Sequence, residues 1–346
     1  MAELSELWWL GMILAAFAGG AFGAAIGALP AFVFTGFFVI VGEGVRILSG
    51  DLSGLIGLDP DALDSAAITS KIAFGPVFGP HISFAAGAAA SAYAAKKGYM
   101  NTGFPYGEAK NIIFAFGPKP DVLIVGGLFG ILGYWITTIS VAFSLPWDPI
   151  AVGVVLSAVA HRLIFKYPLL GKAKKGRLNM KPFERAEKKS KKSERLLVEP
   201  WLGHQYKWLD IVSLGIVVGI LAAYITYETG SVFLPFGISA ASLLFLNLGV
   251  ERIPVTHHIA LVGSTAIVAA TGGVFEGQAL GGMLMIGAFF GLIAAVFGEL
   301  IQRIFYAHAD THFDPPAAAI VMGTFLIVLF YYIEIFETSA WVPVPF

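Results

Sequence analysis

Gly75-Pro76-Val77-Phe78-Gly79-Pro80-His81-Ile82-Ser83 and Pro254-Val255-Thr256-His257-His258-Ile259-Ala260 fall in opposite halves of a 346-residue chain. Each places proline ahead of an imidazole and an isoleucine, then runs into Gly, Ala and Ser. Proline removes a backbone donor and interrupts a helix. An interruption inside a long apolar segment leaves N–H and C=O groups free at membrane depth, where they must line a cavity or be buried in protein. Two such interruptions at corresponding places predict a duplicated membrane fold with its site where they meet.

The surrounding composition fits that setting. Hydrophobic residues make up 57% of the chain and charged residues 13%, with a mean hydropathy of +0.78. Soluble domains run about 45–50% apolar and about 25% charged, so lipid is the expected solvent. The chain has no cysteine, which excludes disulfides, thiolate nucleophiles and Cys-ligated metals. The first apolar segment lacks a basic start and is too long for a signal peptide, so it reads as a retained span.

Ten segments approach the roughly 20 apolar residues that a crossing needs. They are 8–29, 30–48, 72–95, 122–143 and 149–165, then 209–227, 232–250, 253–275, 280–305 and 316–335. The expected fold is an all-α polytopic membrane protein of about ten transmembrane or re-entrant helices in two repeats, 5+5 and inverted. Its parts are a first membrane repeat (1–170), a basic cytoplasmic linker (171–206) and a second membrane repeat (207–346). Eleven of the 22 Lys and Arg lie between Lys172 and Arg195, and basic loops stay in the cytoplasm. The rule is met equally if 72–95 and 253–275 re-enter without crossing, in which case the repeats are parallel. In both plans the linker is cytoplasmic and the chain is a multi-pass protein of the cell (inner) membrane. The basic run reads as a solvated tether that fixes topology, or as a surface for anionic lipid headgroups at about 1 kcal/mol per cation. No nucleic-acid partner is expected.

Four landmarks recur in the same order. Leu29-Pro30 is matched by Leu234-Pro235, and the His81 stretch by the His258 stretch. Gly126 and Gly130 are matched by Gly287 and Gly291, and Asp148-Pro149 by Asp314-Pro315. Small residues at these spacings let helices approach closely, and they favour a homo-oligomer as well.

Ionisable groups at membrane depth are costly and mark function by default. His81, Ser83, Thr256, His257 and His258 are therefore the candidate substrate or translocation residues. The competing reading has the histidines bond nearby carbonyls and only hold helices together. Asp148 and Asp314 precede proline as N-caps do, with a second role as gate or cation ligand open to them. Glu43, Glu251, Glu299 and Glu334 fall near span ends and read as interfacial, Glu251 pairing with Arg252. The seven tryptophans read as headgroup-level belts. His308, Asp310 and His312 form a spaced set: on a helix His308 and His312 would share a face and could chelate a divalent metal beside Asp310. Ala309 stands where a zinc protease carries its glutamate. Otherwise no cofactor is expected.

The string Gly23-x-x-x-Gly27-x-Leu29-Pro30 looks like the glycine-rich Leu-Pro stretch of the large membrane subunit of tripartite tricarboxylate transporters. The likeness covers under a tenth of the chain, Ala31 replaces the glycine expected after the proline, and no substrate is carried over from it. Phosphate loops, Rossmann fingerprints and nucleophile elbows are absent from the sequence. The leading expectation is a transporter or channel for a small polar or ionic solute rather than an enzyme. The alternatives are a membrane-embedded metalloenzyme at His308 and His312, or a non-catalytic subunit of a larger membrane complex.

Overall fold

The structure, a computed structural model, describes residues 4–56, 68–191 and 193–345, with only the backbone described for 50–56. Eleven α-helices follow one another: α1 (Leu10–Ile26), α2 (Ala28–Ile56), α3 (Ala85–Lys96), α4 (Pro120–Ala142), α5 (Pro149–Ile164), α6 (Lys181–Glu184), α7 (Trp208–Thr229), α8 (Leu234–Asn247), α9 (His257–Thr271), α10 (Leu280–Ile301) and α11 (Pro315–Tyr332). No strand occurs among the described residues, apart from one isolated bridge between Lys188 and Leu196. Five helical stretches are long and apolar enough to cross a membrane: Ala28–Ser49, Pro120–Ala142, Trp208–Thr229, Leu280–Tyr306 and Pro315–Tyr332.

The exterior of the bundle is more apolar than water would permit. Val217 and Met285 are 63% and 74% exposed, and Leu14, Leu128, Phe289 and Phe325 join them on the outside. Leaving such side chains in water forfeits about 1.5–3 kcal/mol each, whereas lipid accepts them. The helix crossings in the interior are rich in Gly and Ala. Gly20 of α1 abuts Gly126 and Gly130 of α4, and Gly219 of α7 abuts Gly287 and Gly291 of α10. A Cβ at either Gly20 or Gly219 would meet the carbonyl oxygen of Gly126 or Gly287. Backbone contact of this kind replaces the hydrophobic effect as the force between helices in lipid.

Two pairs of helices join the halves, and each pair is antiparallel. Gly36 of α2 meets Ala240 and Ala241 of α8 while Val39 meets Gly237. The start of α5 meets the far half of α11, where the Asp148 amide donates to Thr324 Oγ1 at 3.0 Å. At its other end Ala158 packs with Phe313 and Ala318.

The 72–95 segment is interrupted, as its two Gly-Pro pairs predict. A single π-helical turn (Ile68–Ala73) is followed by a non-helical stretch, 74–79, before helix resumes at Pro80–Phe84 and continues as α3. Pro76 and Pro80 withhold the donors that would have bridged it. The 253–275 segment is helical only over α9, whose 15 residues reach ~22 Å at 1.5 Å per residue, because Gly272 adopts a left-handed φ of 62° and ends it. α2 runs on to Ile56, past the expected end at 48. Glu43 is buried, bonded to Thr69 (2.9 Å), Ser231 (2.6 Å) and Arg46 (3.0 Å). Glu299 is buried against Arg303 at 2.5 Å. Neither is solvated as expected. Glu251 and Glu334 are exposed, and no ion pair joins Glu251 to Arg252 among the described residues.

The linker is packed rather than trailing. Met180, Val198 and Tyr206 form a small core with Ala307, and Gln205 exchanges hydrogen bonds with the Val255 backbone at 2.9 and 3.0 Å. Its exposed side carries Lys172, Lys174, Lys181, Arg185 and Lys191.

Candidate functional site

A cavity of about 400 Å³ sits between the two halves of the chain. Four helix starts converge on it: Pro80, Pro149 at the head of α5, His257 at the head of α9, and Asp314 with Ala317 at the head of α11. Its walls are largely apolar, with Phe74, Phe233, Phe236 and Trp341 among them. One wall is a row of rings. His257 lies 4.7 Å from Phe32, Phe32 5.7 Å from Phe84, Phe84 5.7 Å from His312, and His312 5.4 Å from Tyr306, centroid to centroid. The Lys110 ammonium ends the row, 4.4 Å above the Tyr306 ring.

Both acids at the cavity cap helices. Asp148 Oδ1 accepts from the Ile150 and Ala151 amides at 2.7 and 3.0 Å. Asp314 Oδ2 accepts from Ala317 N at 2.8 Å, and its Oδ1 lies 3.3 Å from His312 Nε2. α9 is different. Thr256 occupies its N-cap position without capping it, because the Thr256 hydroxyl is drawn to Ser239 Oγ at 2.5 Å. Among the described residues the His257, His258 and Ile259 amides find no acceptor, and the first amide of the helix to be satisfied is that of Ala260, bonded to Thr256 O at 2.9 Å. His257 is 6% exposed, and its Nδ1 is buried with no partner.

Of the expected residues, then, His257, Asp148, Asp314 and His312 meet at the cavity. His81, Ser83, Thr256 and His258 do not line it. Residues 80 and 84 face the cavity on one helix and 257 and 261 on the other, so His81 and His258 are each turned about 100° away. His81 is wedged between Gly133 of α4 and Gly153 of α5, and His258 lies beside Gly298 of α10. Ser83 packs on Gly23. The His308, Asp310, His312 set is not gathered either. Residues 307–314 are not helical, because the fully buried Arg162 claims the Phe305 and Thr311 carbonyls (2.8 and 3.1 Å) and Thr311 Oγ1 (2.9 Å). His308 turns to the Arg177 carbonyl at 3.0 Å, while Asp310 pairs with Lys189 and Arg195. No metal-holding group of three or more His, Asp or Glu exists among the described residues.

Two cavity features were missed by the sequence reading. Trp201 and Trp341 line the cavity. Lys110, its side chain fully buried, closes one end together with linker residues Trp201 and Leu202. Lys110 pairs with Glu199 at 2.8 Å; Arg195 grips the same carboxylate at 2.8 and 3.0 Å and reaches Asp310 at 3.0 Å. Burial pushes the Glu199 carboxyl up, but Lys110 and Arg195 more than reverse this and hold it below the ordinary value. For Lys110 burial outweighs the pull of Glu199, which it shares with Arg195, and lowers its pKa to about 8. The Val198-Glu199-Pro200-Trp201 break in the basic run was the one local signal that the linker docks.

A family described as a family of unknown function (DUF7973) matches residues 2–345. No curated protein and no solved structure matches the chain.

Proposed function

The chain belongs to that family of unknown function, DUF7973, and we propose that it is a membrane transporter or channel that carries a small polar or ionic solute through the central cavity. The solute path runs between two five-segment units related by inversion. The observation that carries this reading is the cavity itself, lined from both halves by helix starts and holding His257, Asp148 and Asp314. Proteins built from inverted repeats bind their solutes at such interfaces, near interrupted helices.

Inversion has its own support. Ala16, Gly20 and Ala24 touch Gly126 and Gly130 as Gly215, Gly219 and Ala223 touch Gly287 and Gly291. Asp148, Ala151 and Val154 line the cavity as do Asp314, Ala317 and Ile320. Both helix pairs that join the halves, α2 with α8 and α5 with α11, are antiparallel, as an axis in the membrane plane requires. A parallel repeat would make each of these pairs run the same way. The segments that ten crossings place in the cytoplasm also bond to one another: Lys110 to Glu199, Gln205 to Val255, Arg303 to Tyr206 O.

Flux into proteoliposomes tests the proposal, with a panel of small amino acids, organic acids, organic amines and polyols. Wild type is expected to accumulate at least one of them. Ala151→Trp, which places an indole in the cavity, is expected to abolish that flux while the protein remains folded. No flux across the panel, or flux indifferent to Ala151→Trp, rejects the reading.

A further inference from the structure

We infer that the folded linker lays a basic face on the membrane surface and holds the anionic headgroups of phospholipids in the cytoplasmic leaflet. No residue from 166 to 191 lines the cavity, so this surface is separate from the solute site.

Hydrogen bonds pin this stretch to the end of the Leu280–Tyr306 span. Arg177 donates to the Ile304 carbonyl at 3.2 Å, Arg303 donates to the Leu178 carbonyl at 2.7 Å, and Gly171 packs against the His308 carbonyl. Within the stretch, Asn179 donates to the Lys175 carbonyl at 3.1 Å and Lys174 to the Lys189 carbonyl at 3.3 Å. The cations are thereby fixed close to the end of a span instead of trailing on a solvated tether. Residues 172–195 carry eleven Lys and Arg against three carboxylates, Glu184, Glu187 and Glu194. Lys175, Lys188 and Lys189 are ion-paired. Lys166, Lys172, Lys174, Lys181, Arg185 and Lys191 are exposed and meet no carboxylate among the described residues. That excess of charge alone would suit any soluble anion. The apolar side chains among the cations favour lipid: Leu169, Leu170 and Leu178 are 44%, 40% and 50% exposed. Leucines beside lysines suit the boundary between acyl chains and headgroups, whereas in water their apolar surface is wasted. Clusters of about four to eight Lys and Arg next to a spanning helix attract anionic lipid, each cation adding about fivefold to the affinity.

Full-length protein in neutral detergent is titrated with phosphatidylglycerol or phosphatidylcholine, and bound lipid is counted by native mass spectrometry. Wild type is expected to bind phosphatidylglycerol at least about tenfold more tightly than phosphatidylcholine. Lys172→Gln, Lys174→Gln, Lys181→Gln and Arg185→Gln combined should lower phosphatidylglycerol affinity at least about tenfold and leave phosphatidylcholine unchanged. Should that variant not fold, wild type is measured again at about tenfold higher ionic strength, with the same loss expected. Glycerol phosphate, an anion without acyl chains, should not displace the lipid at equal concentration. Equal binding of the two lipids, or phosphatidylglycerol binding indifferent to the lost cations or to salt, overturns the inference. Displacement by glycerol phosphate overturns it as well, by assigning the face to a soluble anion.

Discussion

Glu199→Gln removes the carboxylate on which the linker closes the cavity, and its cost can be worked out from Lys110. The ammonium is fully buried and titrates at about 8 against an ordinary 10.5. At about 1.4 kcal/mol per pKa unit, the folded protein already carries ~3 kcal/mol of burial that Glu199 does not offset. The ceiling at pH 7 is the cost of shedding the proton outright, ~5 kcal/mol on the same scale. Glu199→Gln can therefore lose only ~1–2 kcal/mol through Lys110. Arg195, 29% exposed, loses a partly screened pair worth about 1 kcal/mol. The total is ~2–3 kcal/mol at neutral pH.

The sign with pH follows from the lowered value. Between pH 8 and 10.5 the unfolded chain keeps a Lys110 proton that the folded chain has released. Unfolding then takes up a proton, and stability from this group rises with pH. Above about pH 9 Lys110 is neutral in both folded proteins, so the gap between variant and wild type narrows to the Arg195 share. Lys110→Met alone leaves the buried Glu199 carboxylate with Arg195 as its partner and should be destabilising, whereas added to Glu199→Gln it removes both charges of the pair and should recover the Lys110 share. Denaturation in detergent, followed by tryptophan fluorescence at neutral pH and at about pH 9.5, gives these differences. A cost that is the same at both pH values, or a double variant no better than Glu199→Gln, refutes the reasoning.

Sidedness is accessible because the chain has no native cysteine. Gly103→Cys and Glu276→Cys, both exposed and in corresponding loops of the two halves, are expected to label with an impermeant thiol reagent from opposite sides; labelling from one side indicates parallel repeats. Gly20→Leu and Gly219→Leu should each lower stability by about 1–3 kcal/mol or more through overpacking. Gly44→Ala has open space around it and should be neutral or gain about 0.5–1 kcal/mol. Melting in detergent checks all three, and a leucine accepted without loss at either crossing argues against tight backbone contact there.

Features encoded within a few residues were legible in the sequence. Asp148-Pro149 and Asp314-Pro315 are caps, the paired glycines are crossings, and the Gly75–Pro80 stretch is a break. Angular phase was not legible. Imidazoles one position apart at the head of α9 point about 100° apart, and only His257 reaches the cavity. The π-helical turn at Pro80–Phe84 shifts phase in a way no 3.6-residue pattern foresees. His308 and His312 suggested a shared helical face, but Arg162, on another helix, unwinds that stretch by taking its carbonyls. Lys110 and Glu199 are 89 residues apart, a pairing with no local signature.

Solute passing through the cavity between the halves would run past Val154, on its wall. Val154→Cys, reconstituted and treated with a methanethiosulfonate, should lose solute flux in step with modification followed by mass spectrometry, and regain it when the mixed disulfide is reduced. Full modification with flux unchanged would contradict the account.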